Sequence, residues 1–414
     1  MSYRSRSQFL RDRLAALAVI ATLAGCAGST RPASFPEQMA FESGDLPVEE
    51  IRSPDGSFST RITGQLERAL AVMGDDASVS ALIDIGSTAP VECTFFRGDL
   101  DLASAMIEFS DRGFEEVAKH LGRVLEKQTQ QITAGAIAGS PMLSLAWRYR
   151  VGEGIGLIKH RIASVDGHGL YCRHVETGYA KTFARLFATM VRNLARTDEN
   201  ASEAVYTVVS RTRLRGQPRG VEKHVVQVIG DGSIRMESRS SMLVASHYGR
   251  LSAIDTVFVR FARADGGLIN AVYARSDDGA LVTNLSLDPR NGGWVLSGTR
   301  NGVSYEQEIP GRTPPMSILA EVRALRETLR DHGTADGTVE IRGWYPHFDP
   351  LRLMKRTTVV GARQDVDHFQ AISKVGPVVV ESVIDSTGET TWSRWLDPSI
   401  GELETELIFV DGAI

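Results

Sequence analysis

The chain has 414 residues, 42% hydrophobic and 23% charged, with a formal net charge of −5. These are the proportions of an ordinary globular protein, and the length allows two or three domains, each burying its own core. The mildly acidic balance excludes the basic footprint of a nucleic-acid-binding surface.

The chain opens with Arg4, Arg6, Arg11 and Arg13, followed by LAALAVIATLAGC over residues 14–26. A basic start, a short apolar stretch and small residues before a cut form a secretory signal. The stretch is too short to span a bilayer, which takes roughly 20 apolar residues, and nothing after Cys26 is long or apolar enough either. Leu23-Ala24-Gly25-Cys26 resembles the lipobox of bacterial lipoproteins. The resemblance implies a diacylglycerol on the Cys26 sulfur, cleavage before Cys26 and acylation of its new amino group. Ala24 and Gly25 are small enough to let the backbone enter a narrow protease site. A plain signal with a chance cysteine is the alternative. One acyl chain anchors marginally, at about 0.8 kcal/mol per buried methylene, and several anchor durably. Ala27 stands where many inner-membrane lipoproteins carry Asp, which implies the outer membrane, facing the periplasm. Residues 5–11 resemble a twin-arginine export motif, but Ser7 replaces the second Arg, favouring general secretion. The leader carries four Arg and one Asp, so its removal takes the chain from −5 to about −8.

Residues 26–53 are rich in Pro, Ser, Gly and acids and read as a flexible tether behind the 1–25 signal. From 54 to 197 strand and helix patterns alternate. β-rich runs at 79–85 and 91–96 form one expected hairpin, and 142–151 and 155–165, flanking Gly152-Glu153-Gly154, form another. Phe114, Val117, Leu121, Leu125 and Ile132 keep helical spacing, predicting a helix over 114–132. After a strand at 169–175, Tyr179, Phe183, Leu186, Phe187, Met190, Val191 and Leu194 make the apolar stripe of a closing helix. This order resembles the photosystem extrinsic proteins and their bacterial relatives.

The polar break at 197–202 is the expected domain boundary. From 203 to 410 short strands recur between Gly, Asp and Asn turns, with one helix after Pro314 and Pro315 whose apolar face is Ile318, Leu319, Val322, Leu325 and Leu329. That pattern resembles the half-barrel of the periplasmic lipoprotein carrier and its outer-membrane receptor. It is also similar to β-rich domains beside bacterial transglutaminase-like domains, a likeness helped by Trp392, Trp395 and the turn at 397–401. The expected fold class is α+β: an N-terminal α/β sandwich domain, then a mostly antiparallel β half-barrel with one embedded helix.

Catalytic signatures are missing: there is no G-x-S-x-G, H-E-x-x-H, P-loop or C-x-x-C. Cys93 and Cys172 are the two cysteines besides Cys26, and in an oxidising periplasm such a pair bonds; two buried thiols are the alternative. His168, Cys172 and His174 alternate on one strand, with His160 nearby, a donor set able to bind zinc or copper. Ligands on alternate strand residues sit about 6–7 Å apart and must lean inward, so a disulfide with solvated histidines competes. Arg211, Arg213 and Arg215 share one strand face and can meet lipid phosphates or an anionic glycan, or simply face water. Residues 344–348, Trp-Tyr-Pro-His-Phe, read either as an aromatic binding loop or as packing. No cofactor is implied. The expected partners are the membrane, through the acyl chains, and a lipid or an envelope protein. The function expected is a non-enzymatic, lipid-anchored lipoprotein that binds or scaffolds, holding a lipid or extended peptide in the half-barrel. The alternative is an enzyme or accessory subunit acting on cell-wall or protein substrates.

Overall fold

The computed structural model describes residues 34–412 except 54–55, 57, 73–77, 124, 153, 197–203, 246–249, 312–314, 333–336 and 366. The signal, Cys26 and the break at 197–202 lie outside the described residues. The protein is mostly antiparallel β-structure, and no described helix is long and apolar enough to cross a membrane.

Helix α1 (Phe35–Met39) leads to β1 (Val48–Arg52) and β2 (Phe58–Thr63). Then come β3 (Gln65–Val72), β4 (Ser78–Asp84), β5 (Val91–Arg97), α2 (Leu102–Leu121), β6 (Lys127–Ile137), β7 (Ser140–Val151), β8 (Gly154–Val165), β9 (His168–Val175), α3 (Ala180–Asn193) and β10 (Ala195–Arg196). Strands β1, β2 and β10 form a small sheet, and the other seven form a sheet of order β3-β4-β5-β9-β8-β7-β6. One face of this sheet packs on α3 and the small sheet, through Phe183, Phe187 and Met190 against Ile83, Phe95 and Ile62. Fully burying side chains of this size contributes roughly 2 kcal/mol each. The other face packs on α2.

Two expectations are corrected. The helix predicted over 114–132 runs instead from Leu102 to Leu121. It stops at Gly122, whose φ of 62° suits a residue without Cβ, and Arg123 N–H closes the last turn on Ala118 O at 3.1 Å. Residues 127–137 are a strand, Ile132 and Ala134 burying one face. Nor are residues 34–53 a free tether. Glu42 accepts hydrogen bonds from Lys181 N (2.9 Å), Thr182 N (2.8 Å) and Thr182 Oγ1 (2.8 Å), satisfying the orphan donors at the start of α3. Tyr179, at the N-cap with φ 60°, offers no side-chain cap there.

The rest of the chain builds one 14-stranded sheet. Strands β11 (Ala204–Leu214), β12 (Gln217–Val228), β13 (Ile234–Ala245), β14 (Leu251–Ala262), β15 (Leu268–Asp277), β16 (Ala280–Arg290), β17 (Gly293–Arg300) and β18 (Val303–Ile309) form one meander. Helix α4 (Ile318–His332) follows, then a second meander: β19 (Thr338–Trp344), β20 (Leu353–Arg363), β21 (His368–Val375), β22 (Val378–Asp385), β23 (Thr390–Asp397) and β24 (Gly401–Gly412). Pairing of β24 with β11 joins the arms, leaving β18 and β19 at the two ends. Both arms turn the same face to α4: Leu319 packs with Tyr206, Val226 and Met236, and Leu325 lies in one cluster with Val339, Val360 and Ala371. The sheet therefore curls around the helix without closing. Residues 315–317 tie β15 of the first arm to the end strand β19 of the second, Leu268 N bonding Pro315 O (2.9 Å) and Met316 N bonding Arg342 O (2.8 Å).

The outer face of β12–β14 packs on the first half of the chain, Val221, Leu243 and Ala253 sharing a core with Met106, Leu143 and Ile158. The key polar contact is Asp255 of β14, 2% exposed. Its carboxylate caps α2, accepting from Ala103 N (3.1 Å), Ser104 N (2.8 Å) and Ser104 Oγ (2.5 Å), and also from Ser241 Oγ (2.5 Å). A helix N-terminus favours negative charge, and an unpaired buried donor costs about 1–3 kcal/mol. Asp255→Ala is therefore expected to lower stability by about 3 kcal/mol, read by chemical denaturation. A loss under about 0.5 kcal/mol would show that this cap does not hold the halves together.

Candidate functional site

Inside the curled sheet the register aligns side chains in rows. His224, Ser238, Phe258 and Tyr273 are successive cross-strand partners on β12 to β15. Glu222, two residues before His224, shares its face, and Arg260 follows Phe258 by the same alternation. From the turn after β19, His347 sets its ring 5.4 Å from Tyr273 and 6.3 Å from Phe258. Trp344 closes the wall, 5.5 Å from Phe258, its Nε1 donating to Pro350 O at 3.0 Å. His347 is exposed, and the His224 and Glu222 side chains keep 37% and 21% of their surface accessible, so these groups line an open hollow.

The electrostatics of the hollow follow from burial and mutual charge. His224 Nδ1 lies 2.7 Å from Ser238 Oγ, and its Nε2 lies 3.4 Å from Glu222 Oε1. Burial works to raise the Glu222 carboxyl, but His224, His347 and Arg260 outweigh it and hold it at about 2. Burial pushes the Arg260 guanidinium down to about 10, with Glu222 offsetting only part. The His347 residue as a whole is exposed, but desolvation of its ring among these groups, with Arg260 and His224 adding and Glu222 opposing, holds it below the usual imidazole range. From α4, Glu321 meets Arg356 Nε at 2.9 Å, and burial raises its carboxyl. The arrangement can seat a polar ligand against an aromatic wall, between a guanidinium, two imidazoles and a carboxylate.

A second concavity, of about 800 Å³, lies between the outer face of β11–β13 and the 99–102 and 164–167 segments. Its charges are already matched: Arg239 with Asp99 (3.3 Å) and Glu237 (2.5 Å), and Lys223 with Asp166 (3.5 Å). It is a seam between the halves, with its ions spent on each other.

The residues singled out in the sequence fall elsewhere. Cys93 and Cys172 are cross-strand partners on β5 and β9, joined by a disulfide of 2.11 Å, and both are buried. The metal set His168, Cys172 and His174 is corrected accordingly. Cys172 Sγ is committed to the bond, His168 packs on Phe58, and His174 Nε2 lies 3.1 Å from Ser87 Oγ. His160 is on the opposite face, 2.7 Å from the Tyr171 hydroxyl. Among the described residues no group of three His, Cys, Asp or Glu is placed to hold a metal ion. Arg211 and Arg213 do share one face of β11, where both meet Glu406 at 3.7 and 3.1 Å. Arg215 sits in the β11–β12 turn, its N–H bonding Glu402 O. The 344–348 segment divides, Trp344 packing in the core and His347 facing the hollow.

Glu222, Arg260 and Tyr273 were not singled out from the sequence. The available signal was charge at positions where the alternation of β12 and β14 calls for apolar residues.

No family model matches the chain, and no curated protein matches it. Among solved structures it is similar to a β-barrel-like protein of the domain of unknown function DUF1849 from Brucella abortus. That overlap covers 51% of this chain and 98% of the other, at 12% identity and a TM-score of 0.40. It is also similar to a DUF1089 family protein from Pseudomonas aeruginosa (18% identity, 43% of this chain and 90% of the other, TM-score 0.26). A third is the cyanobacterial PsbP of Synechocystis (14% identity, 42% and 99%, TM-score 0.25). Likenesses of this size carry no conclusion about function.

Proposed function

We propose that the protein is a lipid-anchored, outer-membrane lipoprotein facing the periplasm, a non-enzymatic binding protein whose curled sheet acts as a half-barrel receptor. In this reading an α/β sandwich domain, roughly 54–197, carries the half-barrel domain, roughly 203–410. The observation that carries it is the row His224–Ser238–Phe258–Tyr273 with Glu222, Arg260 and His347 around it. Glu222 and Glu321 are matched within the fold, but Arg260 has no carboxylate partner among the described residues, and a desolvated cation left so is costly unless something else meets it. The same charges, with α4 occupying the apolar part of the concavity, favour a polar ligand over an acyl chain. Native mass spectrometry of the protein purified from membranes should find a small polar adduct. A fatty-acyl lipid there would reverse this choice, and an empty protein under all conditions would remove the binding role.

Anchoring rests on Cys26. Cys26→Ala is expected to abolish incorporation of a labelled fatty acid and to move the protein from the membrane to the soluble fraction. Unchanged labelling would refute lipidation at this residue.

One contact favours an enzymatic reading. Ser238, His224 and Glu222 stand in the order of a nucleophile, a base and an orienting acid. Ser238 is only 3% exposed and also accepts from Arg260 Nη2 at 2.9 Å, which occupies the oxygen a substrate would need to reach. We therefore give these residues a binding role.

A further inference from the structure

We infer that the hollow takes a carboxylate carried on an apolar or aromatic body, with Arg260 as its principal contact. This rests on the proposed reading of the hollow as a ligand site and names the chemistry of the ligand.

Arg260 is an unbalanced cation on the concave face. Its guanidinium carbon lies 4.5 Å from the Phe258 ring centroid, and one terminal nitrogen donates to Ser238 Oγ at 2.9 Å. Its Nε is buried without a hydrogen-bond partner. Among the described residues no carboxylate lies within ion-pair distance of it, whereas Arg173, Arg235, Arg239, Arg275 and Arg356 each have one. The two acids nearest in the field are engaged elsewhere, Glu222 with His224 and Glu321 with Arg356. A desolvated cation without an anion is costly, and a guanidinium is shaped to receive a planar oxyanion through two parallel N–H groups.

The surroundings narrow the anion. His347 stands accessible across the hollow and can donate to the same oxyanion. Phe258, Tyr273 and Trp344 pack edge to face and are buried beneath these groups, giving the site an apolar floor suited to a body with an aromatic or apolar side chain. Glu222, ionised, can accept an N–H from that body. Inorganic phosphate offers the charge without the body, and a fatty acid offers the body without the N–H. An N-acylated amino acid offers all three, whether free or as the carboxyl end of a peptide.

The test is titration calorimetry on the full chain with four probes: N-acetyl-phenylalanine, its amide, a tripeptide ending in phenylalanine, and inorganic phosphate. N-acetyl-phenylalanine is expected to bind saturably, at least 10-fold tighter than the amide or phosphate. A tripeptide binding at least 10-fold tighter than the single residue identifies a peptide carboxyl terminus as the source, and equal binding identifies a free acid. Arg260→Gln should weaken the acid at least 10-fold, with Arg260→Lys between. Should Arg260→Gln fail to fold, His347→Gln, at an exposed position, should still weaken the acid several-fold. Equal affinity for acid and amide, or phosphate binding as well as the acid, overturns the carboxylate assignment. If no probe binds but native mass spectrometry finds a different polar adduct, this inference fails while the binding role stands. If neither finds a ligand, both fail.

Discussion

Moving the protein from pH 7 to pH 5 is expected to remove about 4 kcal/mol of its stability, through His160 and His174 alone. Both imidazoles are buried, 1% and 0% exposed, and burial holds both at about 3. Arg173 and Lys127 add to the effect at His160, and Lys159 adds to it at His174. In the folded chain both stay neutral, whereas in the unfolded chain they take up protons below about pH 6.5. The contribution is thus present above pH 6.5 and is lost as pH falls, by about 1.4 kcal/mol per unit for each ring until the folded value is approached. Asp101, Glu321 and Glu389, whose carboxyls burial raises, work in the opposite direction at lower pH, so the histidine slope is cleanest between 6.5 and 5. Denaturant midpoints at pH 7, 6 and 5 measure it, and His160→Gln and His174→Gln should each remove about half of the part these two rings contribute, His347, also held low, adding in the same direction. A midpoint independent of pH would mean that both rings reach solvent.

Replacing both disulfide cysteines by alanine is expected to cost about 4.5 kcal/mol, since the bond closes a loop of 79 residues. That loop holds α2 and β6 to β8, so the unfolded chain gains the freedom of half the first sheet when the bond is absent. Alanine is the right replacement because both positions face the apolar side of the sheet near Met190, where a serine hydroxyl would be left unpaired. The comparison is equilibrium denaturation of Cys93→Ala/Cys172→Ala against the parent chain without reductant. A difference below 1 kcal/mol would mean that the bonded and unbonded chains are equally constrained when unfolded. A reductant added to the folded parent should leave the bond intact, because neither sulfur is accessible.

The second half was legible as a succession of short strands with one helix, because each strand is an alternating run ended by a turn residue, though strand limits such as those of Leu251–Ala262 and Gly401–Gly412 were not. The first half was harder wherever the deciding partner is remote. Phe114 to Ile132 carries helical spacing, but Gly122 stops the helix, and the cap that fixes its start belongs to Asp255, about 150 residues further on. Residues 34–53 look like a spacer because their composition is polar, yet Glu42 is a helix cap and Val48–Arg52 is paired to β2. The hollow was illegible for the same reason. Glu222 and His224 form an unremarked pair on one strand, and they become a site only when β14 and the turn at 345–350 are folded over them. Short motifs report local chemistry, and this hollow has none.

The pairing of β24 with β11 makes the whole second sheet depend on its last strand. The strand nearest the C-terminus of the second sheet sits in its middle, beside the strand that begins it, and holds nine register partners there. Until residues 401–412 are available, the two meanders are separate pieces with β11 and β23 as raw edges, and the hollow cannot take shape. A chain cut short before residue 401 therefore loses the seam that joins the two arms, along with its last strand.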